Sequence, residues 1–103
     1  MKLLTKEIIR RTPKLNATDG VKDKVATAKF FNPVGRGTWY MVEYDPDQRL
    51  AFGYCELFGE YELGYFSLNE LESLRLPLGM KIERDLYFKP QKLSEITALK
   101  HAV

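Results

Sequence analysis

TWYMVEYDPDQRLAFGYCELFGEYELGYF, residues 38–66, is the stretch on which the fold turns. Thr38–Asp45 is dense in aromatic and β-branched side chains, which suit a pleated, half-buried surface. Asp45-Pro46-Asp47-Gln48 then places aspartate first and proline second, as a type I turn prefers. Arg49–Leu57 returns, and Phe58-Gly59 turns the chain into Glu60–Phe66. Three strands joined by short turns predict an antiparallel meander. One alternating set reads Tyr40, Val42, Tyr44, then Leu50, Phe52, Tyr54, then Tyr61, Leu63, Tyr65, and is expected to face the core. The opposite set, with Glu43, Asp45 and Glu62, is the more polar one.

Upstream, Leu3, Leu4, Ile8 and Ile9 recur at helical spacing around a capping Thr5, with Pro13 beyond, predicting a short helix over Lys6–Arg11. Residues 14–23 read as a loop with a turn at Asp19-Gly20. Lys24–Phe31 alternates as a strand that stops at Asn32-Pro33, and Pro33–Gly37 reads as a flexible loop. Downstream, Ser67-Leu-Asn-Glu70 has the form of a capping box, and Leu68, Leu71 and Leu74 give a short amphipathic helix ended by Pro77-Leu-Gly79. Met80–Lys89 reads as a further strand closed by Pro90, and Ser94 is placed to cap a last helix carrying Ile96 and Leu99. With no βαβ alternation, the order predicts an α+β fold: a small antiparallel meander of four to five strands with short helices at the start, after the third meander strand and at the end.

A chain of 103 residues fits one domain. Its 45% hydrophobic and 29% charged residues are ordinary globular usage, which argues against disorder. Cys55 is the only cysteine, so an internal disulfide or a Cys-rich metal site is excluded. No apolar run reaches the length of a secretory core or a membrane span, and a cytoplasmic protein is expected. The net charge of +2 hides a split: residues 1–42 carry +6 and residues 43–103 carry −4. No Lys or Arg lies between Leu50 and Leu74, where Glu56, Glu60, Glu62, Glu70 and Glu72 all fall. A basic and an acidic pole follow if the fold keeps these parts separate.

Chemistry is hard to assemble from these residues. Cys55 sits in an apolar strand and His101 near one end, with no spacing to link them as nucleophile and base, so Cys55 reads as core and His101 as exposed tail. Asp45-Pro-Asp47 opens like a calcium loop, but Arg49 and Leu50 stand where a ligand and a glycine are required. Neither a metal site nor a catalytic residue nor a cofactor is expected. Gly35-Arg36-Gly37 beside Trp39 admits two accounts. Arg36 meets phosphate while Trp39 stacks on a base, or the glycines serve a turn and Trp39 packs. Glu43 and Glu62, with Arg84-Asp85 nearby, form either a paired-carboxylate site or a structural ion-pair network.

The segments Thr38–Asp45 (TWYMVEYD), Glu62–Leu71 (ELGYFSLNEL) and Ile82–Phe88 (IERDLYF) together resemble a family of short, uncharacterised bacterial proteins, a domain of unknown function often carried by plasmids, phages and integrative elements. The opening Leu-Leu-Thr-Lys-Glu and Lys29-Phe-Phe-Asn-Pro33 match it too. The resemblance implies no reaction. It implies a mobile-element setting, in which small proteins often act by binding.

The leading expectation is therefore a non-enzymatic binding protein, an accessory or anti-defence factor (anti-CRISPR or antirestriction) that contacts a host or element-encoded protein. Aromatic residues of the meander, Tyr65 among them, suit such contacts because they offer much area for little lost entropy. The acidic Glu56–Glu72 stretch suits the nucleic-acid groove of a host protein, although +2 is too positive for a full DNA mimic. One alternative is nucleic-acid binding through Arg10, Arg11, Lys14, Lys22, Lys24, Lys29 and Arg36. The other is a small enzyme centred on Glu43, Glu62, Arg84 and Asp85.

Overall fold

In the computed structural model, residues 2–100 and Ala102 are described, and His101 lies outside them. Helix α1 covers Lys6–Arg11, and the Thr5 hydroxyl caps it by accepting from the Ile8 N–H at 3.1 Å. Strands β1 (Val25–Ala26), β2 (Ala28–Phe31), β3 (Thr38–Asp45), β4 (Leu50–Glu56) and β5 (Tyr61–Ser67) follow. Helix α2 (Leu68–Ser73) is capped by Ser67, whose hydroxyl accepts from the Glu70 N–H at 3.2 Å. Strands β6 (Glu83–Arg84) and β7 (Gln91–Lys92) complete the set. The main sheet is antiparallel in the order β5-β4-β3-β2-β6, and β1 pairs separately with β7. This is the expected α+β meander, with β5 and β6 as its two edges.

Both faces of the sheet are covered. On one, α1, α2 and the first residues pack Leu3, Leu4, Ile8, Leu68 and Leu71 against Phe30, Trp39, Met41 and Phe66. On the other, Ala26, Leu93, Ile96 and Leu99 pack against Tyr40, Val42 and Tyr54. The division departs from simple alternation at β3. Met41 pairs with Gly53 but Glu43 pairs with Phe52, so Val42 is the extra residue of a bulge. A one-residue insertion reverses the faces beyond it. Tyr44 therefore joins Trp39 and Met41 rather than Tyr40, and Glu43, expected on a polar face, is 2% exposed. Phe52, Leu63 and Tyr65 do lie on the Tyr40 face, but the terminal segment covers it only in part: Leu63 lines a cavity with Leu93 and Ala102 yet is exposed, as is Tyr65.

Three further expectations need correction. Lys24–Phe31 is two strands: Thr27 breaks the run by donating its N–H to the Met41 carbonyl at 2.8 Å, and β1 leaves for β7. Of Met80–Lys89 only Glu83–Arg84 pairs, because Asp85 starts a turn by accepting from the Tyr87 N–H at 2.9 Å. The last helix is two 3-10 turns, Leu93–Glu95 and Thr97–Leu99. Ser94 does not cap them; its N–H and hydroxyl donate to Asp23 at 3.1 and 2.6 Å.

Candidate functional site

The sequence-selected residues separate into three places. Glu43 points into the loop that precedes β1. Its carboxylate accepts from the Asn16 N–H at 2.8 Å, the Thr18 N–H at 2.9 Å and the Thr18 hydroxyl. Burial alone would raise its pKa, but these bonds and the charge of Lys24 outweigh it and hold the carboxyl below the usual range. Lys24 in turn donates to the carbonyls of Thr18 and Val21. Glu43 is thus the anchor of residues 14–24.

Arg84 and Asp85 stand at the β6 edge. Arg84 donates to the carbonyls of Leu3 at 2.7 Å and Lys2 at 3.2 Å, while Asp85 lies 3.8 Å from the Lys29 ammonium. Glu62 is at the other edge of five strands, roughly 19 Å away at ordinary strand spacing. Glu62 also shares its face with Cys55 and Trp39, whereas Glu43 shares the opposite face with Phe52. The paired-carboxylate site does not assemble: Glu43, Glu62 and Arg84 occupy separate surfaces.

Trp39 is 6% exposed and belongs to the core. A side chain at Gly37, whose φ is 132°, would meet the Trp39 ring at 2.9 Å, so glycine is required by both conformation and contact. The Gly-Arg-Gly loop is a turn held by Asn32, whose N–H donates to the Gly37 carbonyl at 2.9 Å. Arg36 is exposed, 3.1 Å from where a Cβ on Gly59 would stand, and so reaches across to the β4–β5 turn.

Glu62 and Tyr65 come together on β5 with residues that sequence reasoning did not single out. Between β5 and α2 runs a groove of about 430 Å³, lined by Leu57, Gly64, Leu71 and Leu74, with Trp39 at its base and Glu62 and Glu70 on its rim. Cys55 opens onto it, but burial and then the charge of Glu62 push its thiol up to about 11, so it stays protonated near neutrality. At the hairpin tip Phe58 is 91% exposed, and across the strand Leu63 (47%) and Tyr65 (57%) are exposed, Tyr65 with its ring 4.9 Å from that of Phe52. The signal for this region was the run without Lys or Arg from Ala51 to Leu74. That β5 is an edge had no local signal, since it depends on which strand comes to lie beside it.

Among the described residues no cluster of three or more His, Cys, Asp or Glu is placed to hold a metal ion, and no helix is long and apolar enough to cross a membrane. Residues 3–102 match the model of the family described as protein of unknown function (DUF2958), and the chain belongs to that family. No curated protein and no solved structure matches it.

Proposed function

We propose that this family member is a non-enzymatic binding protein whose contact surface is the β5 edge, the β4–β5 tip and the groove beside α2. In this reading it serves a mobile genetic element as an accessory or anti-defence factor acting through protein contacts. One observation carries the choice of surface. Leu78, Leu86 and Tyr87 are exposed as well, but Phe58, Leu63 and Tyr65 stand on or beside an open strand edge, where exposed apolar side chains and unpaired backbone together mark an interaction site. The basic part of the chain supports a nucleic-acid reading less well. Arg11 donates to the Thr27 carbonyl, Lys24 to two carbonyls of its own loop, and Lys29 faces Asp85 and the Tyr40 ring. These three cations have partners within the fold, whereas among the described residues Lys14, Lys22 and Arg36 make no salt bridge.

The test is affinity purification of the tagged chain from its native host, with and without nuclease, beside the double variant Leu63→Ser/Tyr65→Ser. A stoichiometric protein that survives nuclease and is lost with the variant is expected. Recovery of nucleic acid alone, with binding that weakens steeply with salt, would sink the proposal and favour phosphate contacts.

A further inference from the structure

An antiparallel ladder alternates residue pairs that exchange two hydrogen bonds with pairs that exchange none. The Leu68 N–H donates to the Arg49 carbonyl at 2.9 Å, and Leu50 stands opposite Ser67, so the Leu50–Ser67 pair exchanges none. The phase along β5 follows. Glu62, Gly64 and Phe66 bond inward to β4, and the N–H and C=O groups of Tyr61, Leu63 and Tyr65 point out of the sheet. Among the described residues no turn, loop or cap bond takes up these outward groups. They form a free row of alternating donors and acceptors along the longer of the two sheet edges.

We propose that β5 receives an extended segment of a partner protein as a sixth strand, one in which basic and apolar residues alternate. This rests on the protein-binding reading above and names its mode and its partner class. Backbone pairing supplies the register, and side chains of the added strand fall alternately on the two faces. On the groove face they meet Glu62 and Glu70 above a floor of Leu57, Leu71 and Leu74. A lysine or arginine fits there, its stem along the leucines and its cation at the carboxylates. On the other face they meet Leu63 and Tyr65, which take an apolar side chain. Glu62 and Glu70 make no salt bridge within the described residues, so the charge is free to select a basic partner. Charge also argues against a second copy, since β5 paired with itself would bring acidic residues of both chains together.

The probe is a capped decapeptide of alternating lysine and valine, titrated into the isotope-labelled full chain. Binding is expected to shift resonances of residues 61–67 and α2 and to slow amide exchange at Leu63 and Tyr65. In an antiparallel added strand, the pairing of every neighbour in this sheet, the valines stand opposite Leu63 and Tyr65, so the same peptide N-methylated at its valines keeps its side chains but cannot donate to the edge. It is expected to bind at least about tenfold more weakly, the equivalent of one net hydrogen bond. A glutamate–valine decapeptide should not bind. Leu63→Pro removes an outward N–H without touching the β4 ladder and should weaken binding at least about tenfold, and by more than Leu63→Ala does. The N-methyl comparison uses the unaltered chain and so does not depend on that variant folding. No binding of the lysine–valine peptide, equal binding of its N-methylated form, or a concentration-dependent dimer that occupies the edge would each overturn strand addition. If a nuclease-resistant host partner still binds Leu63→Pro but not the Leu63→Ser/Tyr65→Ser variant, side chains alone make the contact; strand addition then falls while the protein-binding reading stands. If the peptide behaves as expected and no host partner is found, the edge is kept and the host-factor reading falls.

Discussion

Replacing Glu43 by glutamine changes one atom in a buried carboxylate that accepts three hydrogen bonds. Oε1 accepts from the Asn16 N–H, and Oε2 accepts from both the N–H and the hydroxyl of Thr18. A glutamine retains one acceptor. Its best orientation keeps the Thr18 pair and turns an NH2 toward the Asn16 N–H, donor against donor. Each hydrogen bond to a charged group is worth about 1.5–3 kcal/mol, and a donor left unsatisfied adds to the loss. Lys24 also loses a negative neighbour. Glu43→Gln should therefore destabilise the fold by about 2–3 kcal/mol, and for a domain this long each kcal/mol lowers Tm by about 4–8 °C. Urea titration followed by circular dichroism reads it at several pH values. Because the folded pKa is lowered, the carboxylate's stabilisation is fully present above the unfolded value of about 4.3 and disappears as pH falls through the folded one. The gap between wild type and Glu43→Gln should be constant from pH 8 to 6 and narrow below pH 4.5. A gap under about 0.5 kcal/mol at pH 7, within the range of ordinary surface changes, would refute the anchor role. So would a gap that does not change with pH.

Other outcomes follow from single contacts. Gly53→Ala would place its Cβ 1.8 Å from the Tyr40 carbonyl oxygen, backbone that cannot give way, and is expected to cost at least about 3 kcal/mol by urea titration. Gly64→Ala, with nothing within 4 Å, should stay within about 0.5 kcal/mol. Arg49 pairs with both oxygens of Glu72, at 2.6 and 3.1 Å, and that carboxylate also accepts from the Leu3 N–H at 3.0 Å. Glu72→Gln should cost about 1–2 kcal/mol at pH 7 and lose most of its effect on acidification below pH 4, since Arg49 first of all holds Glu72 below the usual carboxylate range. Cys55, pushed up to about 11, should react with a disulfide reagent at pH 8 roughly twentyfold more slowly in the folded chain than in urea, its smaller thiolate fraction being partly offset by the greater nucleophilicity of a more basic thiolate. Equal rates would show that the thiol is open to solvent.

What could be read in advance was what is decided locally. Thr5 and Ser67 each bond an N–H three residues on, so both helix starts were visible in a few letters. The turn at Asp45 is equally local, its carboxylate accepting from the Asp47 N–H at 3.0 Å. The bulge at Val42 was not legible, because nothing in Met-Val-Glu states that a loop 25 to 27 residues upstream needs a carboxylate. Once Glu43 must face Asn16 and Thr18, the strand has to insert a residue to keep Tyr44 on the Trp39 side. The break at Thr27 has the same origin, since β1 is claimed by β7 from the far end of the chain. Leu63 and Tyr65 read as core because their alternation is that of core residues, but exposure depends on how far the covering segment extends. Of the candidate site, Glu62 and Tyr65 were named from sequence, whereas the open edge between them required the strand order.

The pairing of β1 with β7 joins Val25 to Lys92 and Ala26 to Gln91, and the same closing segment supplies Leu93, Ile96 and Leu99 to the core on the Tyr40 face. During synthesis, which proceeds from the N-terminal end, the two halves of this molecule must mature at different times. The meander and its helical cover are complete by Ser73, and every strand contact within β3, β4 and β5 crosses a short turn. Tyr40, Val42 and Tyr54 have Ala26, Tyr61 and then Phe88 beside them, but lack the cover of Leu93, Ile96 and Leu99 until residues 91–99 emerge. For that interval the nascent chain carries the meander with one apolar side part-covered and an open edge, a state in which exposed surface invites contact with a chaperone or a partner.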